Sequence, residues 1–128
     1  MILNIANIIT YLATKPTVVS ALWNRIFLWE PEIEQTENYL TINIISEQIV
    51  ETDQRSSRLE FRYIWKNKTI SFQTLANIEK IVYDYITIRE NMNGFIPYKV
   101  YSEDLVNTYD QKQRKVLIRD IIFYYVNW

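Results

Sequence analysis

One stretch decides the fold of this chain: Leu59-Glu60-Phe61-Arg62-Tyr63-Ile64-Trp65-Lys66. Its large apolar side chains fall at every second position, so an extended backbone turns all of them to one side. Most of the intervening side chains are charged, as expected for the other side. The alternation predicts a strand over residues 58–66, in a sheet with one buried face.

Apolar residues recur at helical spacing directly after this strand: Phe72, Leu75, Ile78, Val82, Tyr85 and Ile86. They form one stripe and predict a helix over residues 71–90. Ser71 or Thr69 is expected to cap its start, and Asn93-Gly94, which contains the only glycine of the sequence, to end it. Because a strand and the next helix usually neighbour each other, the aromatic side of the strand should pack against this stripe.

The segment before the central strand predicts its hairpin partner. Apolar and polar residues alternate over residues 39–50, and the break at Ile44-Ile45 indicates a bulge. Residues 51–57 are all polar. They predict a long exposed tip that joins strands 39–50 and 58–66 in an antiparallel hairpin.

The remaining segments predict a helix over residues 2–13, a short helix over 17–22, a strand over 25–29, a strand over 97–108 and a turn over 109–113. The first helix should end before Pro16, since the residue before a proline avoids the helical region. Thr17 is expected to cap the short helix. The apolar start of the chain is interrupted by Asn4, Asn7 and Thr10, and fits neither a signal peptide nor a membrane span.

The last element, residues 116–126, fits a helix stripe as well as a strand. Its β-branched and aromatic content favours the strand. One side then carries Ile121, Phe123 and Tyr125, and the other carries Ile122, Tyr124, Val126 and Trp128. A strand that is apolar on both sides is expected to be covered on both, by helices or by a neighbouring subunit.

Together these elements predict a single α+β domain, with a mostly antiparallel sheet, a long hairpin and two main helices packed on one face. The chain has 128 residues, 48% hydrophobic and 23% charged, which is enough for one globular core. Ten tyrosines and four tryptophans exceed what such a core easily hides. An A+T-rich genome would explain the tyrosines but not the tryptophans, and both residue types are enriched at interfaces.

The composition argues against an enzyme. The sequence has no cysteine and no histidine, which removes thiolate chemistry, the commonest general base and the commonest transition-metal ligand. One glycine cannot build a phosphate-binding loop. We expect no cofactor and no metal site. An enzyme that used a carboxylate pair is the remaining alternative, with these candidates, none of which the sequence brings together: Glu30, Glu32, Glu34, Asp53, Asp104 and Asp110.

Two charged segments are candidates for contacts, although the net charge is only −1. The acidic segment, residues 30–37, carries Glu30, Glu32, Glu34 and Glu37. It is interpreted as a solvated connection, as a surface that repels DNA phosphates, or as a partner for basic residues. The basic stripe of the central strand carries Arg58, Arg62 and Lys66, flanked by Arg55 and Lys68. It is either a solvated sheet face or a subunit contact for acidic residues.

The order of elements resembles the tail terminator (tail-completion) proteins of tailed bacteriophages. The residues that carry the resemblance are the helix 2–13, the strand Arg25-Ile26-Phe27-Leu28-Trp29, Tyr39-Leu40-Thr41-Ile42-Asn43-Ile44, the strand 58–66 with its helix, and the closing Tyr109-Asp110…Arg114…Val116-Leu117-Ile118 hairpin. The likeness is one of pattern, without a diagnostic motif.

The resemblance implies a structural virion protein: a hexameric ring that terminates the tail tube and joins it to the head, without catalysis. Its partners would be further copies of itself, the tail tube protein or neck connector proteins, and genomic DNA that passes through without sequence-specific binding. No membrane is involved, and assembly would take place in the bacterial cytoplasm. Another neck or head-completion ring protein, or a small protein-binding adaptor, remains as an alternative. The expected contacts are the hairpin 39–66 and the strand 116–128, with these candidate interface residues: Arg58, Arg62, Lys66, Tyr124, Trp128, Glu30, Glu32, Glu34 and Glu37.

Overall fold

The chain folds around the strand and helix that its sequence predicts, β3 (Gln54–Trp65) and α3 (Phe72–Ile86). The structure is a computed structural model that describes residues 4–33, 35–65, 72–109 and 115–127. The other elements are α1 (Ile5–Ala13), α2 (Pro16–Leu22), β1 (Ile26–Phe27), β2 (Tyr39–Glu51), a short 3-10 helix (Arg89–Met92), β4 (Ile96–Tyr109) and β5 (Lys115–Val126). Over the described ranges this is one α+β domain with five strands and three α-helices.

The sheet has the strand order β1-β2-β3-β5-β4. The pairs β2–β3, β3–β5 and β5–β4 are antiparallel, whereas β1 runs parallel to β2, so the sheet is mixed. The final element is a strand, as predicted. It inserts between β3 and β4, which leaves β4 at one edge of the sheet. Residues that lie opposite one another across the strands form rows, such as Ser46, Arg58, Ile122 and Tyr101.

The main core lies on the sheet side that we call the helix face, against which all three α-helices pack. Its strand residues include Phe61 and Tyr63, both fully buried, and its helix residues include Leu75, Ile78 and Val82. Ile121, Phe123 and Tyr125 of β5 belong to the same cluster. The predicted register and the predicted contact between the central strand and its helix are therefore confirmed.

The other side of the sheet, which we call the open face, carries a smaller cluster. Tyr39, Ile64 and Val116 are buried there, with Phe27 and Ile118 packed against them. The Tyr39 hydroxyl donates a hydrogen bond to Glu30, which ties the chain after β1 to this face. The strand expected at residues 25–29 is shorter than predicted, because only Ile26 and Phe27 pair with β2 before the chain continues towards Glu30.

The ends of the helices differ from the predictions at several points. Helix α1 begins at Ile5, later than predicted, and the Asn4 side chain caps it by accepting a hydrogen bond from the Asn7 backbone N–H. Helix α2 begins with Pro16 after Lys15, without a side-chain cap, so the prediction of Thr17 as cap is wrong. Helix α3 ends at Ile86, and Asn93-Gly94 ends the 3-10 helix instead, with φ of 54° and 89°. Ser71 and Thr69 lie outside the described residues.

The hairpin β2–β3 is longer and its tip much shorter than predicted. Glu51 pairs with Gln54, so only Thr52 and Asp53 form the turn. The polar residues after the turn join the strand because β5 pairs with them, as Arg55 does with Tyr125. The expected turn at 109–113 lies largely outside the described residues.

Strands β2 and β4 both contain irregularities in their pairing with the neighbouring strand. The pairing of β2 with β3 shifts between Ile44 and Ser46 and again between Ile49 and Glu51. The pairing of β4 with β5 shifts between Pro97 and Lys99 and between Asp104 and Val106. Each shift leaves one residue without a partner across the ladder, as in a β-bulge.

No single α-helix among the described ranges is long and apolar enough to cross a membrane. Helices α1 and α2 meet that criterion only as a pair, and the chain bends by 94° between them.

Candidate interaction surface

Arg58 of the basic stripe is held within the sheet. It lies on the open face, where its Nη1 is 2.7 Å from Asp120 Oδ2 and 3.6 Å from Glu103 Oε2. Asp120 lies opposite both Glu60 and Glu103, so three carboxylates of neighbouring strands share one row. Arg58 offsets the repulsion among them, and it joins β3, β5 and β4 across the open face.

Arg62 also points to the open face and is more exposed. Its Nη2 lies 3.4 Å from Glu60 Oε1, and 40% of its side chain is exposed. Lys66 lies outside the described residues. The described part of the basic stripe is therefore paired with acidic residues of its own sheet, and does not form a bare cationic surface.

The acidic segment is exposed over most of its described length. Glu30 accepts the hydrogen bond of the Tyr39 hydroxyl. Glu32 and Glu37 are both exposed. Glu34 lies outside the described residues. Among the described residues, Arg58 pairs with Asp120 and Glu103, and Arg62 pairs with Glu60.

Tyr124 belongs to an aromatic group on the open face near the β4 edge. Its ring lies 6.3 Å from that of Tyr101, nearly parallel to it, and 6.2 Å from that of Tyr98. The Lys99 ammonium lies 5.4 Å and 5.5 Å from the Tyr101 and Tyr124 ring centres. Tyr124 is half-buried, and Trp128 lies outside the described residues.

The sheet ends in two edges that expose large apolar side chains. We call Tyr98, Val100 and Tyr101 the β4 edge patch, since β4 has β5 on one side and no described strand on the other. Leu105, nearer the end of the same strand, is exposed as well. We call Ile45, Ile49 and Val50 the β2 edge patch. β1 pairs only with Leu40 and Thr41, so the part of β2 that carries this patch is also free of a described neighbour.

The strand 116–128 was expected at a subunit contact. β5 is paired on both sides, and most of its described apolar residues are buried within the chain, whereas Tyr124 is half-buried. The free edge strand is β4 instead. The sequence contains a signal for it, because the apolar residues Tyr98, Val100 and Leu105 stand on either side of the polar residues Ser102-Glu103-Asp104. That pattern does not tell, however, which strand lies at the edge of the sheet.

A second polar group, which the sequence reasoning missed, lies on the helix face. Arg119 Nη1 is 2.8 Å and 3.0 Å from the two carboxylate oxygens of Glu79 on α3, and its Nε donates to Asp104 on β4. Burial raises the pKa of Glu79, although Arg119 acts in the opposite direction. Burial also raises the pKa of Tyr63 well above its usual value, and the charge of Glu79 adds to this effect.

The position of Arg119 could have been read from the alternation of the last strand. Arg119 shares a side with Leu117, Ile121 and Phe123, so a charged residue had to enter the helix face. Such a residue requires an acidic partner, because an unpaired buried charge is costly. The sequence does not show that this partner is Glu79, because Glu79 lies on α3, and the 3-10 helix and β4 separate α3 from β5 along the chain.

The described carboxylates do not form a metal site. Among the described ranges, no group of three acidic, histidine or cysteine side chains is placed to hold a metal ion. Of the acids considered for catalysis, Asp104 pairs with Arg119, and Asp110 lies outside the described residues. A groove of about 360 Å³ lies between α3 and β4, lined by Ala76, Glu79, Lys80, Tyr83, Val100, Tyr101, Ser102, Ile121 and Phe123. Its lining is mostly apolar and continues the β4 edge patch.

A comparison with models of known protein families finds no match for this chain, and neither does a comparison with curated proteins.

Proposed function

We propose that this protein is a structural subunit that assembles with copies of itself into a ring, and that the ring terminates a phage tail tube and joins it to the neck. The observation that carries the proposal is the pair of exposed apolar edges, the β2 edge patch and the β4 edge patch, at opposite sides of one sheet. Large exposed apolar surfaces of this kind mark interaction sites. Two different patches on one chain allow each copy to contact one neighbour on either side.

The phage assignment rests on the resemblance in element order, which also supplies the six-fold number. The tail tube protein, neck connector proteins and passing DNA are the partners that it implies. In this setting the exposed acidic segment would repel phosphates, and the ring would have no catalytic task. A different ring protein of the neck or head-completion complex would use the same two edges.

The mass of the purified protein tests this proposal. We expect a hexamer by light scattering and by native mass spectrometry, and a ring by negative-stain microscopy. Increasing salt should change the assembly only modestly, since the edge patches are apolar and surface ion pairs contribute only about 0–1 kcal/mol each. A chain that stays monomeric up to the highest soluble concentration contradicts the proposal.

A small protein-binding adaptor is the second candidate, and the length of β4 favours it. β4 has 14 residues, and a long free edge strand can accept an extended peptide of another protein by strand addition. An adaptor would be a monomer or a dimer in solution. The same mass measurement therefore separates the two functions.

A further inference from the structure

We propose that copies of this protein join edge to edge. The upper part of β2, residues 42–51, pairs antiparallel with the upper part of β4, residues 96–104, of the next copy, and each residue meets the residue of its own row. The inference rests on the proposed ring and names the strands that form its contact. Its partner is a second copy of this chain.

The first support is the position of the two edge patches along the sheet. The rows connect Ile49 to Pro97, Gln48 to Lys99 and Ser46 to Tyr101, each by way of β3 and β5. The exposed residues Ile45 and Ile49 of β2 thus lie level with Tyr98, Val100 and Tyr101 of β4. A contact without displacement along the strands covers both patches at once.

The second support is the limit of β1. It covers β2 only at Leu40 and Thr41, and these rows meet β4 at Asn107 and Val106. The part of β2 without a described neighbouring strand on the side of β1 therefore begins after Thr41 and continues to Glu51. The regular stretch of β4 between its two irregularities, residues 99–104, lies level with this free part.

The third support is the direction of the strands. β2, β3, β5 and β4 alternate in direction, so β2 and β4 of one chain run in opposite directions. When the next copy is placed beside β4 by rotation about an axis along the strands, its β2 meets β4 antiparallel. Because the rows are not displaced, there is no rise from copy to copy, and the contact closes as a ring instead of extending as a fibre.

The fourth support is the charge and shape of the two edges. Residues 46–51 of β2 include Glu47 and Glu51, whereas the part of β4 at the same level, residues 96–101, carries Lys99 as its one charged residue. In the same-row contact, Glu47 of one copy lies beside Val100 of the next, on the helix face and next to the groove between α3 and β4. Opposite charges at the two edges favour β2 against β4 over β2 against itself.

Engineered cysteines test the contact directly, because the sequence contains none. The pair Gln48→Cys and Lys99→Cys lies in one row on the open face. Within one chain these positions are separated by three strand spacings, about 14 Å, which a disulfide cannot bridge. Between copies in the proposed contact they lie directly opposite, at about 4.5–5.5 Å between Cα atoms.

We expect the double variant to oxidise into a ladder of covalent multimers that ends at the mass of the native assembly. Each single variant should stay uncrosslinked, and a mixture of the two should give covalent dimers only. Circular dichroism and the melting temperature of the reduced variants are the controls for folding.

A native multimer that shows no crosslink in the double variant overturns the contact while leaving the ring in place, and a covalent dimer of Tyr101→Cys alone also overturns the contact. The latter would mean that two β4 strands pair with each other across a two-fold axis. A protein that is monomeric under all conditions overturns the ring and the contact together, so the two failures are distinguishable.

Discussion

Arg119 shows how a single residue shapes the helix face. It lies among apolar neighbours on β5 and contacts Glu79 on α3 and Asp104 on β4. Only 16% of the side chain of Arg119 or Glu79 is exposed, whereas Asp104 is 59% exposed. Arg119 and Glu79 therefore depend on each other, and Asp104 can be solvated without either.

Replacement of Arg119 by leucine should destabilise the protein by about 3 kcal/mol, because it leaves the Glu79 carboxylate buried without its cation. The double variant Glu79→Leu/Arg119→Leu should recover most of this loss, since it removes both charges. Urea unfolding of the four proteins in the cycle measures the coupling. Lys80→Ala is the control, because the exposed pair of Lys80 and Asp84 should contribute only about 0–1 kcal/mol. Equal stability of Arg119→Leu and of the double variant would contradict the coupling.

The pH dependence of Arg119→Leu follows from the direction of the Glu79 pKa. Burial holds this pKa above its usual 4.5 in the folded protein, so the folded state binds the proton more tightly than the unfolded state. Stability therefore decreases as pH rises from 4.5 through the folded pKa. Without Arg119 the folded pKa is higher, and the decrease continues to higher pH. We expect the stability gap between variant and wild type to widen from pH 4.5 towards neutrality, measured by unfolding at each pH. A gap that is constant or narrows would contradict this.

At the scale of elements, the contact between β3 and α3 should carry much of the stability. Phe61 is fully buried in the core that both elements share. Phe61→Ala should therefore cost about 3–5 kcal/mol in unfolding free energy. Ile33→Ala, at a side chain that is 79% exposed and lies on neither edge patch, should change it by no more than about 0.5 kcal/mol. Comparable losses in Phe61→Ala and Ile33→Ala would mean that the Phe61 contact is not central.

The elements also show what a sequence can predict. β3, α3 and the sides of β5 follow from periodicity, because each depends on which residues meet a core. The hairpin tip was mispredicted, because residues 54–57 are polar and yet join β3 through pairing with β5. That pairing involves residues far away in the chain. The β4 edge was missed for the same reason, since only the strand order decides which strand lies outermost.

At the scale of the whole molecule, assembly should couple stability to concentration. If folded copies bind one another, the melting temperature rises with protein concentration by mass action. Ile49→Asp should abolish this rise and leave the stability of the single chain nearly unchanged, because Ile49 is exposed there. Ile33→Asp is the matched control: its side chain is 79% exposed but lies on neither edge patch. Differential scanning calorimetry over a wide concentration range measures the effect. A melting temperature that does not depend on concentration in the wild type would contradict self-assembly.

The irregularities in β2 and β4 have a consequence for a newly made copy whose sheet edges are open. They interrupt the regular spacing of hydrogen-bonding groups, so each open edge offers an incoming strand only a short uniform run. Natural proteins use such interruptions to prevent indiscriminate strand addition. A newly made copy can thus persist in a crowded cell without seeding amyloid-like growth. Each edge accepts only a partner that fits the short regular run between its interruptions, residues 46–49 of β2 or 99–104 of β4.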